Sequence, residues 1–513
     1  MVAIPLTSGA YSAEGYIAAA QKCVNLYPEI NPSDTKPAQP VTHYPRPGLT
    51  LLNPCPAPAP GRCLYRSTRG VFDPAGDLFA VVGQNVFVID PDFNFHLLGA
   101  LSNPGGVPVS MADNGTAIIL VDGSSLANQI LIPLTAAGYT PAAFTQLGDP
   151  NFLGSSRADF IDSFIVLNNP GTNQWYCTLS GQIVFNALFI GVKTAWPDNI
   201  LCVVAIEREV WVFGSQKSEV WYNAGTVPFP FQILPGNIIE QGCAAKFSPA
   251  KMDTNVYWLS ESPEGDRMVM RGNNQNVAQR ISTHAIENEF KQYPRVDDAI
   301  GSTYQSNGHS FYKLHFPTAD KTWGYDQATE QWHEDNWIDI NGVLHRARNT
   351  FMAFAYGKNI ALDWANGNLY AVDPSVKTDN GQPIAWIRSF PHFMNEMKRI
   401  SNSAFIADVQ TGTDPGTGEN TQFLSPWSAG FSPGFGPLTQ VAAPTIYLRV
   451  SRNGGVAFGN ARAKTKMSAG RYRTIMRWRA NGIARDMVYE LSSTAEMSDA
   501  LNGGYVDPLI GHS

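Results

Sequence analysis

The first residues here whose types and positions suit chemistry are carboxylates near strand ends. Asp159, Asp162, Glu207, Glu209, Asp363 and Asp373 stand beside β-forming runs. Two of them held about 5 to 9 Å apart would suit glycoside hydrolysis, one as acid and one as nucleophile or base. Asp residues also cap turns by accepting backbone N–H groups, and the sequence leaves both readings open. Histidines offer less. The nine are scattered, with none at metal-ligand spacing to another. His309 and His315 lie six apart in one strand run, which points to packing on a shared face. The six cysteines, at positions 23, 55, 63, 177, 202 and 243, include no CxxC pair, so buried free thiols are expected. No P-loop, dinucleotide fingerprint, HExxH, GxSxG or EF-hand loop occurs. The expectation is a protein without catalytic residues, cofactor or metal.

The strongest anomaly is a run of cations. Arg449, Arg452, Arg462, Lys464, Lys466, Arg471, Arg473, Arg477, Arg479 and Arg485 follow one another with no acid between them, in a chain of net charge −7. Within RYRTIMRWR the arginines alternate with Tyr472, Ile475, Met476 and Trp478, so period two puts most cations on one strand face. Such a row suits three settings: an acidic surface on a neighbouring subunit, DNA phosphates, or plain solvent. Nearby, the stretch Tyr447–Phe458 resembles the Asp-box turn of sialidases, with Asn453 at the Asp position. Such a box implies a hairpin and no activity.

These groups need a scaffold, and composition describes one. Only 15% of the 513 residues are charged, while aromatics reach 11%, and there are 45 Gly and 36 Pro. That profile, with 44% apolar residues, suits a globular, mostly β chain and excludes wholesale disorder. No apolar run is long enough to span a membrane as a helix, and the opening residues do not read as a signal peptide. The length suggests two to four domains.

The β runs recur. Anchors stand at Leu78–Val82, Ala117–Val121, Phe164–Leu167, Glu209–Phe213, Val256–Leu259, Ser310–Phe316 and Asn359–Leu362. Their spacing of about 40 to 55 residues is that of propeller blades. Most are followed by a tight turn and a second strand, with Gly83-Gln84-Asn85 and Asn366-Gly367-Asn368 as turn signals. In the unit around Trp323-Gly324-Tyr325-Asp326 and Trp332, a kelch-like pattern places Asp326 as a turn cap and the aromatics between blades. The reading is all-β: a propeller of about seven blades at 63–375, an extended N-terminal segment at 1–62 that joins a second domain or closes the propeller, and a β-rich domain at 376–513. A long Gly/Pro/Ser-rich loop spans 411–444. Short helices are expected at Ala13–Gln21 and Ser282–Phe290, and a hairpin of Tyr472–Arg479 with Asp486–Leu491 around Asn481-Gly482.

Three stretches together resemble the tail hub or nozzle proteins of short-tailed bacteriophages, also called packaged-DNA stabilisation proteins. They are CVNLYPE (Cys23–Glu29) with YPRPGL (Tyr44–Leu49), VVAIEREVWVFGSQKSEVWYNAG (Val203–Gly225), and YRTIMRWRANGIARDMVYEL (Tyr472–Leu491). Ala480-Asn481 departs from the Arg-Leu usual after the Trp-Arg pair. The resemblance implies a structural virion protein, assembled in the host cytoplasm, without an enzymatic step or membrane insertion. It implies a homo-oligomeric ring, of six copies, below the portal and its adaptor, retaining packaged DNA and forming the ejection channel. Partners implied are the adaptor, tail fibres or tailspikes, a tail needle or plug, and double-stranded DNA read without sequence specificity. The ten cations are then interface or channel residues. A glycan-binding or glycan-hydrolysing propeller is the alternative on the residues alone.

Overall fold

The computed structural model describes residues 1–513 except 7–8, 11–20, 32–40, 104, 134–137, 263, 274–276, 340, 397, 410–444, 466–474, 495–499 and 511–513. The described residues form two compact units. One holds Ala10 and 49–374; the other holds 1–9, 21–48 and 375–510.

The larger unit is a β-propeller. Antiparallel meanders of four consecutive strands occupy 61–100, 110–146, 158–192, 200–239, 250–280 and 300–334. These six are one fewer than the expected count of about seven. The seventh anchor, Asn359–Leu362, falls in a set of only three consecutive strands, Asn349–Ala355, Lys358–Asp363 and Leu369–Asp373. The place beside Leu369–Asp373 is taken by Gly48–Asn53 from the start of the chain. The propeller therefore begins ahead of position 63, because its last sheet borrows a strand from the N-terminal segment.

Every anchor is the second strand of its sheet. That strand has paired strands on both sides and neighbouring sheets on both faces, so it reads as a continuous apolar run. Leu78–Val82 illustrates the division. Phe79 and Val81 pack on Met111, Ile118 and Leu120 of the second meander. Leu78, Ala80 and Val82 pack on Ile360, Leu362 and Leu369 of the closing sheet. Trp175 and Trp221 join the third meander to the fourth, and Trp211 and Trp258 the fourth to the fifth. Each fully buried large side chain contributes roughly 1.5–3 kcal/mol.

Turn chemistry follows the sequence. Asp326 accepts from Ala328 N at 3.0 Å and Thr329 Oγ1 at 2.8 Å, while Trp332 and Tyr325 lie in the core shared with the fifth meander. Asp363 likewise caps the turn carrying Gly367, which adopts φ +74°. The helix forms at His284–Lys291, with Thr283 as its N-cap. The candidate at Ala13–Gln21 lies outside the described residues, apart from Gln21.

The smaller unit contains two sheets. In one, Leu26–Ile30, Val41–Pro45, Leu501–Ile510, Ile400–Val409 and Met476–Arg479 lie side by side. In the other, Cys23–Val24, Trp386–Ser389, Asp486–Ser493, Thr445–Ser451 and Arg462–Thr465 do. Phe405 of the first stacks on Tyr489 of the second with ring centroids 4.6 Å apart. The expected hairpin around Asn481-Gly482 is not formed. Met476–Arg479 and Ile483–Ala484 both pair with Ile400–Val409, whereas Asp486–Ser493 belongs to the other sheet. Met476 and Trp478 belong to the core between the sheets, so the chain crosses to the second sheet after the turn. The 411–444 loop lies outside the described residues.

Gly272 tests the packing between sheets. A Cβ there would meet Trp211 at 2.4 Å, whereas one on Gly106 would meet nothing within 4 Å. G272A is expected to lower the unfolding free energy by about 1–3 kcal/mol. G106A should stay within about 0.5 kcal/mol, both read by denaturant unfolding.

Candidate functional site

The cation run lies where the edge strands of the two sheets in the smaller unit meet. Arg462 opens the edge strand Arg462–Thr465 and reaches the turn that follows Met476–Arg479. Its Nη1 donates to the Arg479 carbonyl at 2.6 Å, and its Nη2 donates to Asn481 Oδ1. In return, Trp478 Nε1 donates to the Arg462 carbonyl at 2.8 Å. Arg452 Nε donates to the Asn481 carbonyl at 3.1 Å, and lies where a Cβ on Gly482 would stand 2.6 Å from it. Two guanidinium groups thus converge on one turn. Burial, and then the charge of Arg452, lower the Arg462 pKa. Arg449 pairs with buried Glu490 at 3.2 Å and lies 5.2 Å from the Phe458 ring centroid.

The run therefore divides by role. Arg449, Arg452 and Arg462 bind the fold together. Lys464, Arg479 and Arg485 are exposed and Arg477 is half-buried. Over 476–479 the expected alternation holds, with Met476 and Trp478 buried between the arginines. Lys466, Arg471 and Arg473 lie outside the described residues. The Asn453 turn is a hairpin element, since Asn453 Oδ1 accepts from Ala457 N at 2.9 Å and Ser451 bridges to Phe458.

The N-terminal motifs meet in a buried polar knot that sequence reading had not assigned. Arg46 donates through both Nη atoms to Asp379, at 3.0 and 2.5 Å, and through Nε to Asn25 Oδ1 at 2.8 Å. Asn25 in turn donates to the Ala385 carbonyl. Gly48 has no room for a side chain, because a Cβ would stand 2.5 Å from the Thr378 carbonyl oxygen. In the central motif, buried Glu219 accepts from Thr194 N, Ala195 N and Trp221 Nε1. Only the pairing of a lone Arg with Pro and Gly hinted at such tight packing.

The carboxylates are occupied in the same structural way. Asp159 binds Lys251 Nζ at 2.8 and 2.9 Å, linking first strands of the third and fifth meanders, and also accepts from Ala205 N. Asp162 pairs with Arg208, Glu209 accepts from Trp211 Nε1, and Asp363 pairs with Arg348. Each of these contacts joins a carboxylate to a base or an N–H group; Glu207 and Asp373 also have partners of their own. His315 is buried between Ser302 and Thr322 hydroxyls, and burial holds its pKa far below the usual value. All six cysteines are free and buried. Among the described residues, no group of three His, Cys, Asp or Glu is placed to hold a metal.

Residues 2–377 match the family model of phage stabilisation proteins described as "Bacteriophage P22 Gp10, beta-propeller". The chain belongs to this family. It is thus a phage structural protein of the stabilisation family, built on a β-propeller. No curated protein matches the chain. Among solved structures, it is similar to the Cps50 (Swd1) β-propeller domain of Myceliophteria thermophila, at 8% identity and TM-score 0.39. It is also similar to BamB from Moraxella catarrhalis, at 10% identity and TM-score 0.34. Each likeness covers 63% of this chain and 99% of the other, and at such scores neither carries an argument.

The division of the cations has a measurable consequence. R462A should cost the protein about 1–2 kcal/mol, through loss of charged hydrogen bonds to the 479–481 turn. K464A should change stability by no more than about 0.5 kcal/mol. Denaturation midpoints of the two variants check this.

Proposed function

We propose that the protein forms the tail nozzle or hub of a short-tailed phage, below the portal and adaptor. There it retains packaged DNA and, as a ring of six copies, forms part of the ejection channel. Membership of the phage stabilisation family is the observation that carries this reading. The rest of the molecule agrees with it physically. A propeller whose sheets cover one another is stiff and leaves only short edges. Conserving shape under the pressure of packed DNA needs buried area and buried polar links rather than chemistry, and the motif residues Arg46, Gly48 and Glu219 are all spent on packing. The exposed Lys464, Arg479 and Arg485, with the half-buried Arg477, suit an acidic neighbouring subunit or the phosphates of DNA in the lumen. Fibres or tailspikes, and a needle or plug, are the remaining partners of this assembly.

Reconstruction of the phage tail tests the proposal. The expected result is this chain in a ring beneath the adaptor; a stable monomer absent from the tail would overturn it. In the same particles, the double variant R477E/R479E is expected to block tail assembly if the arginines bridge subunits. Complete particles that lose DNA early would place them on the lumen.

A further inference from the structure

Six Lys and Arg side chains are buried among the described residues, and five of them have acceptors. Arg46 forks onto Asp379, and Arg62 donates to the carbonyls of Gly83, Asn103 and Val107. Lys193 and Lys313 pair with Asp198 and Asp335, and Arg388 donates to the carbonyls of Gly9 and Lys22. Arg346 is the exception. It is 9% exposed, yet its guanidinium donates to no described residue.

Its surroundings define a built site between the sixth meander and the closing sheet. Arg346 ends the strand Leu344–Arg346, held by its backbone N–H to Asp320 Oδ1 at 2.9 Å. The guanidinium carbon lies 3.8 Å from the Trp364 ring centroid, a stacked contact that fixes the plane of the fork without supplying an acceptor. Trp364 Nε1 is likewise enclosed and without a partner. Of the Arg346 nitrogens only Nη1 is fully enclosed, so Nε and Nη2 keep some access to solvent. Asp320, Asp298 and Asp363 lie near enough to favour the charged form, but none makes an ion pair with it. Burial outweighs them and brings its pKa to about 10, so it remains a cation at neutral pH.

We propose that the Nε/Nη2 edge of Arg346 binds a small oxyanion, a carboxylate or phosphate group, inside the propeller. A planar fork matches two oxygens of such a group at once. The nearby carboxylates and the indole stabilise the charge only in part, and the guanidinium is left with no direct hydrogen-bond acceptor. The inference stands independently of the tail assembly proposed above.

Full-length protein titrated with sodium phosphate or sodium acetate, against sodium chloride at equal ionic strength, tests it by calorimetry and thermal unfolding. Saturable binding of one of the two anions is expected, and which one binds identifies the group. R346K keeps the charge but loses the fork, so affinity should fall about tenfold or more. Absence of saturable binding by the wild-type protein would overturn the proposal, as would undiminished binding by folded R346K. Should R346K fail to fold, a density map of the wild type in phosphate decides: water alone along that edge overturns the site.

Discussion

The propeller depends on one constraint: each sheet is apolar on both faces, so each needs a neighbour on both sides. The strand Leu78–Val82 sends alternate residues to opposite neighbours, and none of its five side chains can be returned to water cheaply. A row of such sheets has two exposed faces unless it closes on itself. Closure brings Leu64, Leu78 and Ile89 of the first meander against Ile360, Leu362 and Leu369 of the last sheet. Gly48–Asn53 completes that last sheet, so the beginning and end of the propeller sequence are held together by backbone pairing as well as by packing.

Where the chain is polar inside, it is stapled. Buried ion pairs gain little over apolar packing in free energy, but breaking one leaves a costly lone charge, so they enforce a single arrangement. Arg46 with Asp379 ties a motif near the start of the chain to a segment more than three hundred residues later. Arg452 and Arg462 fasten the turn at 479–481, which lets one edge strand of each sheet meet at a corner. Two of the motif residues are tied closely into the packing, Gly48 by backbone approach and Glu219 by accepting three hydrogen bonds.

Much of the larger unit was legible from pattern alone. Central strands buried on both faces are continuous apolar runs, which is why all seven anchors fell on second strands. Asp326 and Asn453 were readable as turn elements because an Asx side chain bonds backbone only a few residues away, and Asp363, left open between acid and cap, proves to be a cap as well. The alternation at 476–479 was readable for a similar reason, since period two is a local property of a strand.

Pairing over long distances was not legible. Sequence by itself determined an all-β chain, the spacing of its repeats, the local turns and a cation run whose arginines alternate with apolar groups. Only tertiary structure decided that Gly48–Asn53 would complete the last sheet, that 476–479 and 486–493 would part company into different sheets, and which arginines would bond to the 479–481 turn. Strand propensity and alternation specify a face and a period but carry no address for the partner strand. That choice is made by which apolar faces can be covered together, and by which buried polar groups then find an acceptor.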